Sequence, residues 1–290
     1  MNAIVASIGT AAPRAGKRRR HLHPGFGLTF GITTAYLGLV VLLPIAAVLL
    51  EVLGMSAREA WALATSERAL AAYRLSFGLA LAAAAINLVF GVLTAWVIVR
   101  YPFPGRRLVD AMIDLPFALP TAVAGIALAT LYAGNGWLGA PLAAIGIEVA
   151  FKPLGILTAL VFVGLPFVVR TVQPVLQELD PVLEEAAATL GAGRWLSVRL
   201  VVVRQLMPSA LAGFTLAFSR AIGEYGSVIF IAGNIPYVSE IAPLLIVVRL
   251  EQYDYAGATV LAVAMLLISF LMLLLINLAQ RWNHRRGRGG

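Results

Sequence analysis

Four charged side chains in this 290-residue chain stand where charge is least expected. Arg220 and Glu224 lie four residues apart in the apolar run Ser219-Arg-Ala-Ile-Gly-Glu-Tyr-Gly-Ser227, a spacing that puts them on one helical face, able to neutralise each other. Charges inside lipid are expensive, so such a pair marks either an interior structural lock or a place where a polar cargo passes. The lock is the favoured reading, because a fixed strong anion site midway would slow release; the passage reading has Arg220 helping a charged cargo across. Glu184 and Glu185 sit in Asp180-Pro-Val-Leu-Glu-Glu-Ala-Ala-Ala-Thr-Leu-Gly-Ala-Gly-Arg-Trp195, a polar island between apolar blocks. Bond-making chemistry has little to work with. There is no cysteine, which removes disulfides, iron–sulfur clusters and thiol catalysis. The three histidines (His21, His23, His284) all lie near the ends, where solvated tail residues are the simplest reading. The two lysines, Lys17 and Lys152, are in no phosphate-binding loop, and no histidine or carboxylate pair has metal-ligand spacing within an apolar run. The chain reads as a non-catalytic protein that binds no cofactor of its own.

The elements that must position these residues are membrane spans. Sixty per cent of the residues are hydrophobic and only 12% charged. Apolar blocks long enough to cross a hydrocarbon layer of roughly 30 Å recur throughout. Six spans are expected, near 28–53, 76–99, 113–133, 154–172, 207–232 and 256–280, within one membrane domain over 26–282. A disordered basic segment is expected before it (1–25) and a basic tail after it (283–290). The first apolar block is too long for a cleaved signal and lacks a small-residue cleavage site, so it reads as a retained span.

Basic residues set the orientation. With the N-terminus inside, 16 of the 22 Lys and Arg fall on the cytoplasmic side, among them Lys17, Arg100, Arg106, Arg107, Arg170, Arg194, Arg199 and Arg204. Only Arg58, Arg68, Arg74, Lys152 and Arg249 face the other way, and Arg220 is within a span. Both termini and the 173–206 loop are therefore expected in the cytoplasm. The net charge of +8 is this asymmetry and is not read as nucleic-acid affinity; anionic lipid headgroups account for the basic tail.

Within this frame three segments stand out. Residues 54–75, with Trp61 and Tyr73, read as an amphipathic outer loop. Pro116 and Pro120, four apart in Asp114-Leu-Pro-Phe-Ala-Leu-Pro120, bend or interrupt the third span, either lining a pathway or making a packing kink. In the 173–206 loop, Asp180 suits an N-cap and Pro181 a first helical position. Gly191 can take the left-handed turn that ends a helix over 182–190. A second short amphipathic segment covers 194–203. Two short helices projecting into water from a membrane protein form a knob offered to a soluble partner, with Ala186, Ala187 and Ala188 keeping it slim and Glu184, Glu185 and Arg194 giving it charge.

Glu185-Ala-Ala187, followed by Gly191, resembles the cytoplasmic loop of permease subunits from binding-protein-dependent ABC importers. Over about 70–280 the chain is similar to the sulfate/thiosulfate permeases of that family, most tellingly in 114–125, Pro166-Phe-Val-Val-Arg-Thr-Val-Gln-Pro-Val175 and 223–234. The resemblance implies an all-α type I importer permease with a coupling-helix hairpin, in a bacterial inner membrane. It further implies a heterodimer with a second permease, two copies of a cytoplasmic ATPase that handles ATP and Mg, and a periplasmic sulfate/thiosulfate-binding protein. One departure is visible: where the family's loop ends in Leu-Pro, this chain reads Val201-Val-Val-Arg204, and the proline comes only at Pro208. The bend out of the hairpin is therefore expected later. A molybdate or tungstate permease is the neighbouring alternative. An ion-coupled secondary anion carrier is the alternative from another class, with Glu224 as its only candidate midplane group.

Overall fold

In the computed structural model, residues 26–286 are described, and every regular element among them is helical. The N-terminal segment 1–25 and residues 287–290 lie outside the described residues, so the expectations placed there stay as expectations. The chain divides into two units, Met1–Ala47 and Val48–Gly290. Most of the first apolar helix, Phe26–Leu53, belongs to the first unit, and a π-helical turn at Gly38–Leu42 widens it midway.

Five helices among the described residues are long and apolar enough to cross a membrane: Phe26–Leu53, Glu67–Arg100, Pro153–Glu178, Arg194–Ile222 and Tyr255–Gln280. The second begins nine residues before the expected span, because Ser66 caps it through the Ala69 amide. The outer loop shrinks accordingly: Ala57–Ala64 is a short helix capped by Ser56, and Tyr73 is buried inside the long helix and not in a loop. The last helix continues past the expected boundary to Arg286.

The third expected span is the exception. It is divided into Arg106–Ile113, Leu115–Ala118 and Thr121–Tyr132. Twelve residues rise only about 18 Å, well short of the hydrocarbon layer. The two prolines act differently. Pro116 lies in the first turn of Leu115–Ala118, where its missing N–H was not needed. Pro120 makes the break: Leu119 before it is extended, as a residue preceding proline prefers, and Pro120 itself stands at the start of the next helix.

The core of the second unit is the junction of Glu67–Arg100, Pro153–Glu178 and Arg194–Ile222. Small residues let the helices close up, as membrane packing requires. A Cβ on Gly91 would come within 2.8 Å of the Val168 side chain, and one on Gly213 within 2.9 Å of the Val168 backbone. Gln280 ties the last helix to this junction, donating to the Leu211 carbonyl (3.1 Å) and the Thr215 hydroxyl (2.8 Å).

Candidate functional site

The hairpin forms as its residue types dictate. The Asp180 carboxylate accepts the Val182 amide at 2.9 Å, Pro181 opens the helix Pro181–Thr189, and Gly191 takes φ +86°. Ala192 N–H then reaches the Ala187 carbonyl (3.0 Å) and Gly191 N–H the Ala188 carbonyl (2.9 Å). This crossed pair of bonds satisfies carbonyls that a helix end otherwise leaves open. Gly193 precedes the next helix, which starts at Arg194.

The way out of the hairpin departs from expectation. No bend follows the second short segment: the chain is helical without interruption from Arg194 to Ile222. Val198–Val202 forms a π-helical turn, with right-handed helical backbone at both flanks. Pro208 lies inside the helix and does not start it. The substitution noted in the sequence supplies the reason. Arg204 keeps the backbone N–H that a proline lacks, so nothing forces the chain out of the helix there.

The hairpin's charges and its apolar tip separate. Glu184 faces inward and pairs with Arg100, at the end of Glu67–Arg100, and that guanidinium also lies 5.4 Å from the centre of the Trp96 ring. Glu184 is thus held within the chain, whereas Glu185 and Arg194 are exposed, Ala186 is exposed and Ala187 half-buried. The most exposed large apolar side chains of the hairpin are Leu190 (89%) and Trp195 (78%), on either side of Gly191. Neither was singled out from sequence, although a leucine and a tryptophan flanking the turn of a polar island were the available signal. Exposed apolar side chains clustered at a projecting turn mark a surface meant to be covered.

Deeper in the bundle, the structure brings together two features that the sequence presented separately. The helix that follows the break at Pro120 meets the chain just beyond Glu224. A Cβ on Gly125 would fall 2.3 Å from the Ser227 carbonyl oxygen, and one on Gly226 2.2 Å from the Thr121 hydroxyl. The fifth span also ends sooner than expected. Arg194–Ile222 stops at Gly223, residues 223–227 are irregular, and Val228–Ile231 is a separate turn. Glu224 lies past the helix end and is almost fully buried, where it accepts the Ser227 amide (2.9 Å) and the Ser227 hydroxyl (2.8 Å) and pairs with Arg220. Arg220, in the last helical turn, sits where a cation suits the helix dipole and keeps 34% of its side chain exposed. The two charges are therefore unequal: one is locked inside, the other looks out.

At the end of the bundle that carries the hairpin, Arg170 joins the Pro153–Glu178 helix to Asp110 and Asp114. At the opposite end, Arg68 makes a two-pronged pair with buried Glu240, both bonds 2.7 Å, and the Ser76 hydroxyl accepts the Ala242 amide at 2.7 Å.

Residues 87–289 match the family described as "Binding-protein-dependent transport system inner membrane component". A Synechocystis sp. protein named "Sulfate transport system permease protein CysT" is 51% identical over 282 residues, covering 97% of this chain and 99% of the relative. The protein of that name from Escherichia coli is 48% identical over 267 residues, 92% of this chain and 96% of the relative. Among solved structures, a chain of a bacterial ABC transporter importing the polysaccharide alginate superposes with a TM-score of 0.73 at 14% identity, over 88% of this chain and 95% of that one. A chain of the MetNI methionine ABC transporter superposes with a TM-score of 0.54 at 18% identity, over 80% of this chain and 99% of that one. These two establish a shared fold, that of type I ABC importer permeases. With the profile, the relatives and the fold in agreement, the chain belongs to the family of binding-protein-dependent transport system inner membrane components.

Proposed function

We propose that this chain is a membrane-spanning permease subunit of an ATP-driven ABC importer and that its cargo is sulfate or thiosulfate. The substrate reading is supported by the names of relatives about half identical over nearly the full length. The observation that carries the mechanism is the hairpin, with Leu190 and Trp195 exposed around a left-handed Gly191 at the tip of a capped helix. Such a knob fits a cleft on a soluble ATPase, whose closing on ATP and Mg displaces it. The chain itself has no phosphate-binding loop, so hydrolysis belongs to the partner.

The remaining parts follow from that reading. A second, related permease completes the path, two ATPase copies dock on the cytoplasmic side, and a periplasmic binding protein delivers the anion. Both termini lie in the cytoplasm, as the basic-residue bias supports. Glu224 serves as an interior lock for the irregular 223–227 segment. Deletion of the gene tests the substrate: growth on sulfate should fail while growth on cysteine survives. Uptake of molybdate in place of sulfate would reassign the cargo to the neighbouring oxyanion class.

A further inference from the structure

We infer that Arg170 is the joint through which movement of the hairpin reaches the break in the middle of the bundle. The inference rests on the reading of the hairpin as the ATPase-docking element.

A guanidinium has five N–H donors, and Arg170 engages every one. Its Nε donates to Asp114 Oδ1 (2.8 Å) and one Nη2 bond goes to Asp114 Oδ2 (2.6 Å), so Asp114 is held by a two-pronged fork. The second Nη2 bond goes to the Asp110 carbonyl (2.8 Å). Nη1 donates to Asp110 Oδ1 and to Gln173 Oε1, both at 2.6 Å. Only Gln173 shares a helix with Arg170; the other four bonds cross to the segment that leads into the broken span. Phe117 and Phe167 reinforce the crossing with an edge-on ring contact, centres 5.2 Å apart.

On one side, the joint connects to the hairpin. Arg170 lies on the helix Pro153–Glu178, which leads through Leu179 to Asp180, the hairpin's cap. On the other side, it connects to the break. Asp114 directly precedes Leu115–Ala118, then Pro120, then the helix whose Thr121 and Gly125 touch Gly226 and Ser227. Ser227 in turn holds Glu224, and Glu224 holds Arg220. Covalent, hydrogen-bonded and close-packed links thus run without a gap from Asp180 to Arg220.

Within the chain, close packing fixes the piece in between at few points, chiefly where Thr121 and Gly125 meet Gly226 and Ser227 and where Phe117 meets Phe167. Leu115–Ala118 has no buried residue, and Thr121–Tyr132 buries only Ala124 and Gly125. An element with so little buried apolar surface is free to move unless something polar holds it. The forked guanidinium, whose geometry lysine cannot copy, is what holds it, and the extended Leu119–Pro120 pair beyond it is a natural hinge. Arg170 is a positioning residue, not one that meets the anion. Contiguity by itself does not prove coupling, so the test must read movement on both sides of the joint.

The chain has no cysteine, so single reporters can be introduced without removing any. An environment-sensitive fluorophore is attached to Gln177→Cys, beside the hairpin, or to Val123→Cys, beyond the hinge; both positions are exposed. Each is placed in the complete complex, with partner cysteines replaced, and fluorescence is compared with and without vanadate-trapped nucleotide. Both reporters are expected to respond in the otherwise unchanged chain. With Arg170→Gln, the response at 123 should vanish while that at 177 persists, and sulfate uptake should fall about tenfold with ATP hydrolysis held within about twofold. If Arg170→Gln prevents assembly, Asp114→Asn keeps the side chain's shape and should give a partial version of the same split. A response at 123 that keeps its full size in either variant overturns the inference. No response at 177 even without the substitution would instead overturn the hairpin reading, and the joint with it.

Discussion

The two ends of the bundle are each held by an arginine, and the contrast between those arginines separates a static end from a working one. Arg68 grips Glu240, a carboxylate that retains only 1% of its side-chain exposure, beside the buried Ser76 and Ser239. Arg170 grips Asp110 and Asp114, whose side chains keep 36% and 48% exposure, next to a segment that buries almost nothing. Beyond Arg170 projects the hairpin, apolar at its tip. The first arrangement is closed: its carboxylate is almost wholly shielded from solvent. The second can break and re-form its bonds against water at modest cost, as a joint in a moving machine must. The buried ion pair stands at one end, while the end that carries the hairpin has the more exposed one.

The largest expected effect is at the closed end. Arg68→Gln leaves Glu240 buried without its counter-charge and should cost about 3–5 kcal/mol, read as a fall in the thermal stability of the purified complex. A loss no greater than that of an exposed pair would erase the contrast. Next is the mid-bundle contact: Gly125→Val drives a side chain into the Ser227 carbonyl and should cost about 1–3 kcal/mol, with sulfate uptake falling in parallel. Gly191→Ala meets no neighbouring atom, so its penalty is conformational alone, about 1–2 kcal/mol confined to the hairpin. Global melting should stay put while the ratio of uptake to ATP hydrolysis drops. The smallest effect is at the pair of Arg100 and Glu184, whose side chains keep 23% and 29% exposure: Arg100→Gln should change stability by about 1 kcal/mol or less, and raising salt should shrink the difference.

How much of this was legible in the sequence depends on the range of the interaction. The long spans were visible because burial in lipid requires unbroken apolar runs. The hairpin was visible because Asp180, Pro181 and Gly191 act on their own neighbours. Pro120 announced a break, but only the geometry shows that Pro116 does not make one and that Thr121–Tyr132 is too short to cross by itself. The early stop at Gly223 was hidden by the apolar residues that follow it, since hydropathy counts side chains and not backbone continuity. Arg170 and its carboxylates stand 56 and 60 residues apart, a pairing that no local rule proposes. The charge bias had placed Arg170 at the same end as Arg106 and Arg107, and Asp110 and Asp114 follow those two closely in the chain, which is the signal that could have found them. Glu184 was taken for an outward-facing charge because helical position alone does not say which side carries Arg100.

The most direct test of the account follows sulfate and ATP together in proteoliposomes containing the complete complex and its binding protein. Radiolabelled sulfate should enter only with ATP, should ignore collapse of the membrane potential, and should be lost when Leu190 and Trp195 are both replaced by Glu in a complex whose permease pair still assembles. Uptake that follows the membrane potential without ATP, or that is untouched by the double replacement, would contradict it.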